Sequence, residues 1–108
     1  MSAGALRQRL RDDLKAAMHG RNEAEVRLLR ALGAAIDNAG AVPMADEELR
    51  RLDAGEMARH ELSGADVAEL LAREVTERLE AAAGFDRLSR TAEAERLRTE
   101  AALVARYE

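Results

Sequence analysis

Leucine and alanine recur at three- and four-residue spacing through four stretches of this 108-residue chain, and its single proline lies between the second and third. That spacing gathers the apolar side chains on one face of an α-helix. Alanine, the strongest helix former, supplies 24 residues. One phenylalanine, one tyrosine and no tryptophan leave little material for a sheet. We therefore predict an all-α fold.

Glycine, asparagine and the apolar periodicity together mark four helices. The ranges predicted from them are 3–18, 23–39, 64–83 and 91–107. Gly20 and Gly84 are expected to end the first and third helices. Met18 and Leu79 are assigned to the apolar faces, and Gly33 is expected to allow the close approach of another backbone. The short connections predict antiparallel neighbours.

The length of the chain is typical of one domain, because a second core would not fit. We predict an antiparallel four-helix bundle-like domain over residues 1–108, with a long connection between helices two and three. Residues 41–61, which include an acidic segment able to form a short helix, are predicted to be a partly ordered insert.

The residue types that usually carry catalysis are scarce. There is no cysteine, and the histidines His19 and His60 do not have a metal-ligand spacing. No glycine-flanked serine elbow or phosphate-binding glycine loop is present. We expect no catalytic residue, no metal and no cofactor. No apolar run reaches the ~20 residues that span a bilayer, so we expect no membrane association and a cytoplasmic protein.

Charge is distributed unevenly along the chain. The net charge of −4 argues against indiscriminate nucleic-acid binding. Residues 1–40, however, contain seven basic and five acidic side chains, a net charge of +2, whereas residues 41–108 contain ten and sixteen, a net charge of −6. A basic contact face would therefore lie on the first two helices.

Five basic side chains form that candidate face, at helical spacing on the exposed sides of the two helices. They are Arg7, Arg11 and Lys15 on the first helix, and Arg27 and Arg30 on the second. Two interpretations are open. The two strips meet and bind a phosphate backbone, or they are solvated faces with acidic partners such as Asp12, Glu23 and Asp37. The first 84 residues contain no aromatic side chain on which a base could stack.

A second polar feature lies on the third helix, where Glu74 and Arg78 fall within the apolar arc. Charges in such an arc must pair or face a groove. They are interpreted either as an i,i+4 ion pair or as a pair that faces a ligand. With Asn38, near the end of the second helix, they are candidates for a polar groove.

Four segments in this order resemble the GatB/YqeY family. LRDDLKAAMHGRNEAEVRLLRALGAAIDNA, residues 10–39, is similar to the start of the family. LSGADVAELLAREVTERLEAAAGF resembles its third helix, including Glu74 and Arg78, and RTAEAERLRTEAALVARY resembles its fourth, including Glu100, Val104 and Tyr107. The resemblance covers nearly the whole chain apart from about residues 41–61.

This resemblance implies an all-helical module that occurs alone or as the tail of the B subunit of the tRNA-dependent amidotransferase, where it helps to hold the tRNA. It implies a further helical subdomain after the tyrosine that the sequence does not include. We expect a non-catalytic module that binds tRNA or a tRNA-modifying or aminoacylating enzyme. A self-associating or protein-binding bundle, such as a homodimer, is the alternative, and an accessory to glutamine-dependent amide transfer is a third.

Overall fold

The computed structural model describes residues 1–40 and 62–108, and within these ranges the chain forms four helices and no strand. They are α1 (Ala3–His19), α2 (Glu23–Ala39), α3 (Gly64–Arg87) and α4 (Thr91–Ala105). The predicted all-α class is confirmed, and the four helices are compatible with a bundle-like domain. The predicted insert over 41–61, with His60, lies outside the described residues. No helix in the described part is both long and apolar enough to cross a membrane.

The chain divides into two compact units, and each contains one helical hairpin. We call α1 and α2 the first hairpin, and α3 and α4 the second. The predicted single-domain organisation stays a prediction.

The first hairpin is antiparallel. Ser2 begins α1, because its side chain accepts a hydrogen bond from the Ala5 N–H at 3.1 Å. Asn22 begins α2 in the same way, accepting from the Glu25 N–H at 3.2 Å. The buried side chains of the two helices include Leu6, Leu10, Leu28, Leu29, Leu32 and Ile36. The hairpin therefore presents its polar sides outward.

The second hairpin is also antiparallel and relies more on small side chains. Tyr107, just after α4, lines one pocket with Gly64 and Val67 at the start of α3. The buried residues of the hairpin are Val67, Leu70, Leu71, Ala82, Ala94, Ala101, Val104 and Tyr107. Alanine at three of these positions lets the helices approach closely at the expense of apolar area.

Both hairpins turn through the same backbone arrangement. At the end of α1 the Asn22 N–H donates to the Ala17 carbonyl at 2.9 Å, and Arg21 is left-handed with φ 57°. At the end of α3 the Arg90 N–H donates to the Phe85 carbonyl at 2.9 Å, and Ser89 has φ 59°. These are Schellman motifs, in which glycine usually holds the left-handed position. Here a non-glycine residue holds it in both turns.

Replacing Ser89 by glycine is expected to stabilise the protein by about 0.5–1 kcal/mol. Left-handed backbone is strained for a residue with a Cβ, and relief of that strain exceeds the extra entropy of glycine in the unfolded chain. Urea denaturation measures the change. Leu88→Gly is the matched control, since Leu88 does not have a positive φ, and it should be neutral or destabilising. Equal effects of the two substitutions would contradict the argument.

One boundary prediction and two face predictions are corrected by the structure. Gly84 does not end the third helix, which continues to Arg87, because the turn that stops it is built at Ser89. Met18 and Leu79, assigned to apolar faces, are 53% and 48% exposed. Both lie at the edge of their helical stripe rather than at its centre.

Candidate functional site

A groove of about 210 Å³ runs between α1 and α2 on the first hairpin. We call it the basic groove, and its lining residues are Arg7, Leu10, Arg11, Leu14, Leu29, Arg30, Gly33 and Asp37. Leucine side chains form part of its wall, and charged groups converge on it from both helices. The two predicted basic strips therefore meet in one groove at Arg7, Arg11 and Arg30.

An ion pair at one end of the basic groove indicates the register of the two helices. The Arg7 Nε lies 3.6 Å from the Asp37 Oδ1. One turn further along α1 is Arg11, and one turn earlier along α2 is Gly33. Because antiparallel helices advance in opposite directions by ~5.4 Å a turn, Arg11 and Gly33 lie at the same level of the groove.

The Arg11 side chain belongs to a series of side-chain hydrogen bonds along α1. Its Nη2 donates to the Gln8 Oε1 at 2.8 Å, and the Gln8 Nε2 donates to the Asp12 Oδ1 at 2.9 Å. A guanidinium has five N–H donors, so most of those on Arg11 remain available. Asp12 reaches Arg11 only through the glutamine.

Two further depressions of the first hairpin adjoin the basic groove. One, of about 490 Å³, shares Arg30 with it and is also lined by Arg27 and Arg21. The other, of about 850 Å³, shares Arg11 and is also lined by Lys15. All five predicted basic residues therefore line one of three adjoining depressions of this hairpin.

The acidic partners of these five cations bear on the two interpretations. Arg7 pairs with Asp37 across the groove. Among the described residues, no salt bridge to a carboxylate joins Arg11, Lys15, Arg27 or Arg30. The expected local partners Asp12 and Glu23 therefore form no salt bridge with these four cations, and the residues that line the basic groove, three arginines and one aspartate, sum to a formal charge of +2.

Gly33 corrects another expectation, since its proposed role was close helix packing. A Cβ added there would have no atom of a described residue within 4 Å beyond its immediate helical surroundings. It also has no positive φ, and α2 continues through it to Ala39. Glycine inside a helix costs about 1 kcal/mol relative to alanine. Neither packing nor backbone conformation on the first hairpin offsets that cost.

The polar pair of the second hairpin forms an i,i+4 ion pair. The Arg78 Nη1 lies 2.6 Å from the Glu74 Oε2, and both side chains are mostly buried, with 15% and 22% exposed. The same nitrogen donates to the Glu74 carbonyl at 3.0 Å. Asn38 is exposed on α2 of the first hairpin. A polar groove that includes these three residues stays a prediction.

The turn of the second hairpin is fixed by Arg90. Its guanidinium lies 5.5 Å from the centre of the Phe85 ring and 2.6 Å from a Glu93 carboxylate oxygen. The Glu93 backbone N–H and the Arg90 side chain lower the pKa of the Glu93 carboxyl below its ordinary value. A lowered pKa in the folded state stabilises the fold above the ordinary pKa, and the contribution is lost as the pH falls through the lowered one.

Sequence reasoning missed one residue of this site and the position of another. Arg21 lines the depression next to Arg27 and Arg30, and its position in a turn removed it from helical periodicity. The signal that could have found it is a basic residue in a short turn between the two helices that contain the basic strips. Gly33 was noticed, but its position in the basic groove depends on the register between helices.

The described residues contain no group of three or more side chains that could hold a metal ion. A comparison with curated proteins found no match, and neither did a comparison with solved structures. A family model described as Yqey-like protein matches residues 7–108. This match covers both hairpins except for the first four residues of α1, and it agrees with the resemblance noted in the four helical segments. The chain belongs to the YqeY-like family.

Proposed function

We propose that this protein is a non-catalytic module that binds tRNA through the first hairpin, in the context of tRNA-dependent amide transfer. The observation that carries the proposal is the convergence of Arg7, Arg11 and Arg30 on one groove. Contacts to the phosphate backbone supply most of the sequence-independent affinity for nucleic acid, and they need accessible cations rather than internal ion pairs.

The chemistry of the groove favours backbone contacts over base recognition. Arginine binds phosphate with a planar, bidentate fork. The described part of the first hairpin has no aromatic side chain for base stacking. The module therefore recognises the charge and spacing of phosphates, and base-specific contacts belong to a tRNA-handling enzyme that acts with it.

Titration of tRNA at ~50 and ~200 mM salt, followed by electrophoretic mobility, tests this proposal. Replacing Arg27 and Arg30 together by glutamine is expected to weaken binding by about 10-fold and to reduce the salt dependence by about one to two phosphate contacts. Arg73→Gln with Arg96→Gln, on the second hairpin, removes the same charge and should have little effect. Absence of tRNA binding by the unaltered chain at low salt would contradict the proposal.

A self-associating bundle is a second candidate, favoured by one observation. Leu79 is a large apolar side chain on the second hairpin, and it is 48% exposed. A core rich in alanine buries limited apolar area, and association through such a leucine would bury more. A dimer mass in light scattering at micromolar concentration supports this candidate, and a monomer at high micromolar concentration contradicts it.

A further inference from the structure

Glycine inside a helix has three physical uses, and the described residues show neither of the first two at Gly33. Glycine permits a left-handed backbone, the close approach of another protein segment, or the close approach of a ligand. Gly33 has no positive φ, and among the described residues an added Cβ would contact no neighbour within 4 Å. The third use remains, and Gly33 lines the basic groove.

The residues around Gly33 specify the charge of such a ligand. Arg11 lies at the same level across the groove, and Arg30 lies on the same face of α2, one turn before it. Asp37, one turn after Gly33, forms an ion pair with Arg7. Gly33 thus lines the basic groove together with Arg11 and Arg30, two arginines with no carboxylate partner among the described residues.

We infer that Gly33 is the seat of a phosphate group of the tRNA backbone, clamped between Arg11 and Arg30. This inference rests on the proposed function and specifies its central contact. Charge-assisted hydrogen bonds to phosphate are short, about 2.7–2.9 Å. A methyl group at Gly33 would lift the phosphate off the helix and lengthen the bonds from both arginines.

Gly33 is therefore a positioning residue. It makes the helix less stable but leaves space for the phosphate next to the backbone. Alanine is common elsewhere in α2, at Ala31, Ala34 and Ala35. A phosphate at this level of the groove needs the space that a side chain at residue 33 would fill. Replacing Gly33 by alanine should therefore raise the stability of the protein and lower its affinity for tRNA. A purely structural glycine would change both in the same direction or only the stability.

Gly33→Ala tests the inference by thermal unfolding and by tRNA titration on the full chain. We expect the Tm to rise by about 4 °C and tRNA binding to weaken by about 5- to 10-fold. Gly33→Leu, also helix-forming, should weaken binding further. Gly4→Ala is the matched control, because Gly4 is helical with open space around it and lies outside the groove. It should leave tRNA affinity unchanged.

The outcomes separate this inference from the proposed function. If the unaltered chain does not bind tRNA, the proposed function fails and the inference falls with it. If the chain binds tRNA and loses affinity on replacement of Arg27 and Arg30, but Gly33→Ala and Gly33→Leu bind normally, only the binding of a tRNA phosphate at Gly33 is overturned.

Inorganic phosphate serves as a further probe, with the Tm as the readout. If phosphate at ~10 mM raises the Tm of the unaltered chain but not of Gly33→Ala, and the tRNA affinities of the two are equal, the seat takes free phosphate. The tRNA assignment is then overturned. An effect of Gly33→Ala on tRNA affinity supports it.

Discussion

Reversing two charges of the basic groove, by Arg11→Glu with Arg30→Glu, is expected to weaken tRNA binding by about 100-fold at ~50 mM salt. Both guanidinium groups line the same groove. Neither forms a salt bridge with a described carboxylate. Their contribution to phosphate binding is therefore not offset by the loss of an internal pair. Fluorescence anisotropy of labelled tRNA across a salt series measures the change.

The salt series adds a second readout to this prediction. Loss of two phosphate contacts should lower the slope of log affinity against log salt by about 1.5–2. Arg73→Glu with Arg96→Glu alters the net charge equally on exposed positions of the second hairpin. If that variant loses as much affinity as the groove variant, binding depends on net charge and the groove assignment is wrong.

Asp37→Asn provides a control of opposite sign. Asp37 is the one carboxylate among the described residues that line the basic groove, and it pairs with Arg7. Removing it frees Arg7 at little cost in stability, because an exposed ion pair contributes about 0–1 kcal/mol. tRNA affinity should rise a few-fold, as expected for one recovered phosphate contact. Unchanged or weaker binding would place the tRNA elsewhere.

Local signals were sufficient to predict the helices of the first hairpin. Asn22 accepts a hydrogen bond at the start of α2, as the sequence pattern indicated, and the predicted range 23–39 agrees with Glu23–Ala39. The spacing of basic residues on each helix could likewise be predicted from neighbouring positions in the sequence. Whether the two strips meet was not predictable, because the register between helices depends on how side chains interdigitate.

The errors concern the end of one helix and the edge of one apolar face. Gly84 is a weak helix former, yet α3 continues past it, because the backbone hydrogen bonds that end the helix are made from Ser89 and Arg90. Leu79 matches the apolar periodicity, but at 100° a residue it lies about 120° from Val67 around the helix. Apolar periodicity predicts the direction in which an apolar face points. It does not predict how far around the helix the buried residues extend.

Two leucines of α3 allow the difference between the centre and the edge of an apolar face to be measured. Leu71 is 2% exposed and Leu79 is 48% exposed. Leu71→Ala is expected to lower the free energy of unfolding by about 3 kcal/mol, because it removes buried methyl groups and leaves a cavity. That is a large fraction of the ~5–15 kcal/mol of a typical domain. Urea denaturation followed by circular dichroism at low micromolar concentration gives the value.

Leu79→Ala is the matched control, with the same change of side chain on the same helix. It should lower the free energy of unfolding by less than about 1 kcal/mol, because half of the side chain is already in water. If it destabilises as much as Leu71→Ala, Leu79 is buried in solution. A loss that grows with protein concentration would then identify association as the cause, because only a second copy covers the leucine in proportion to concentration. The self-associating candidate would gain support in that case, and a loss independent of concentration would instead contradict the exposure of Leu79.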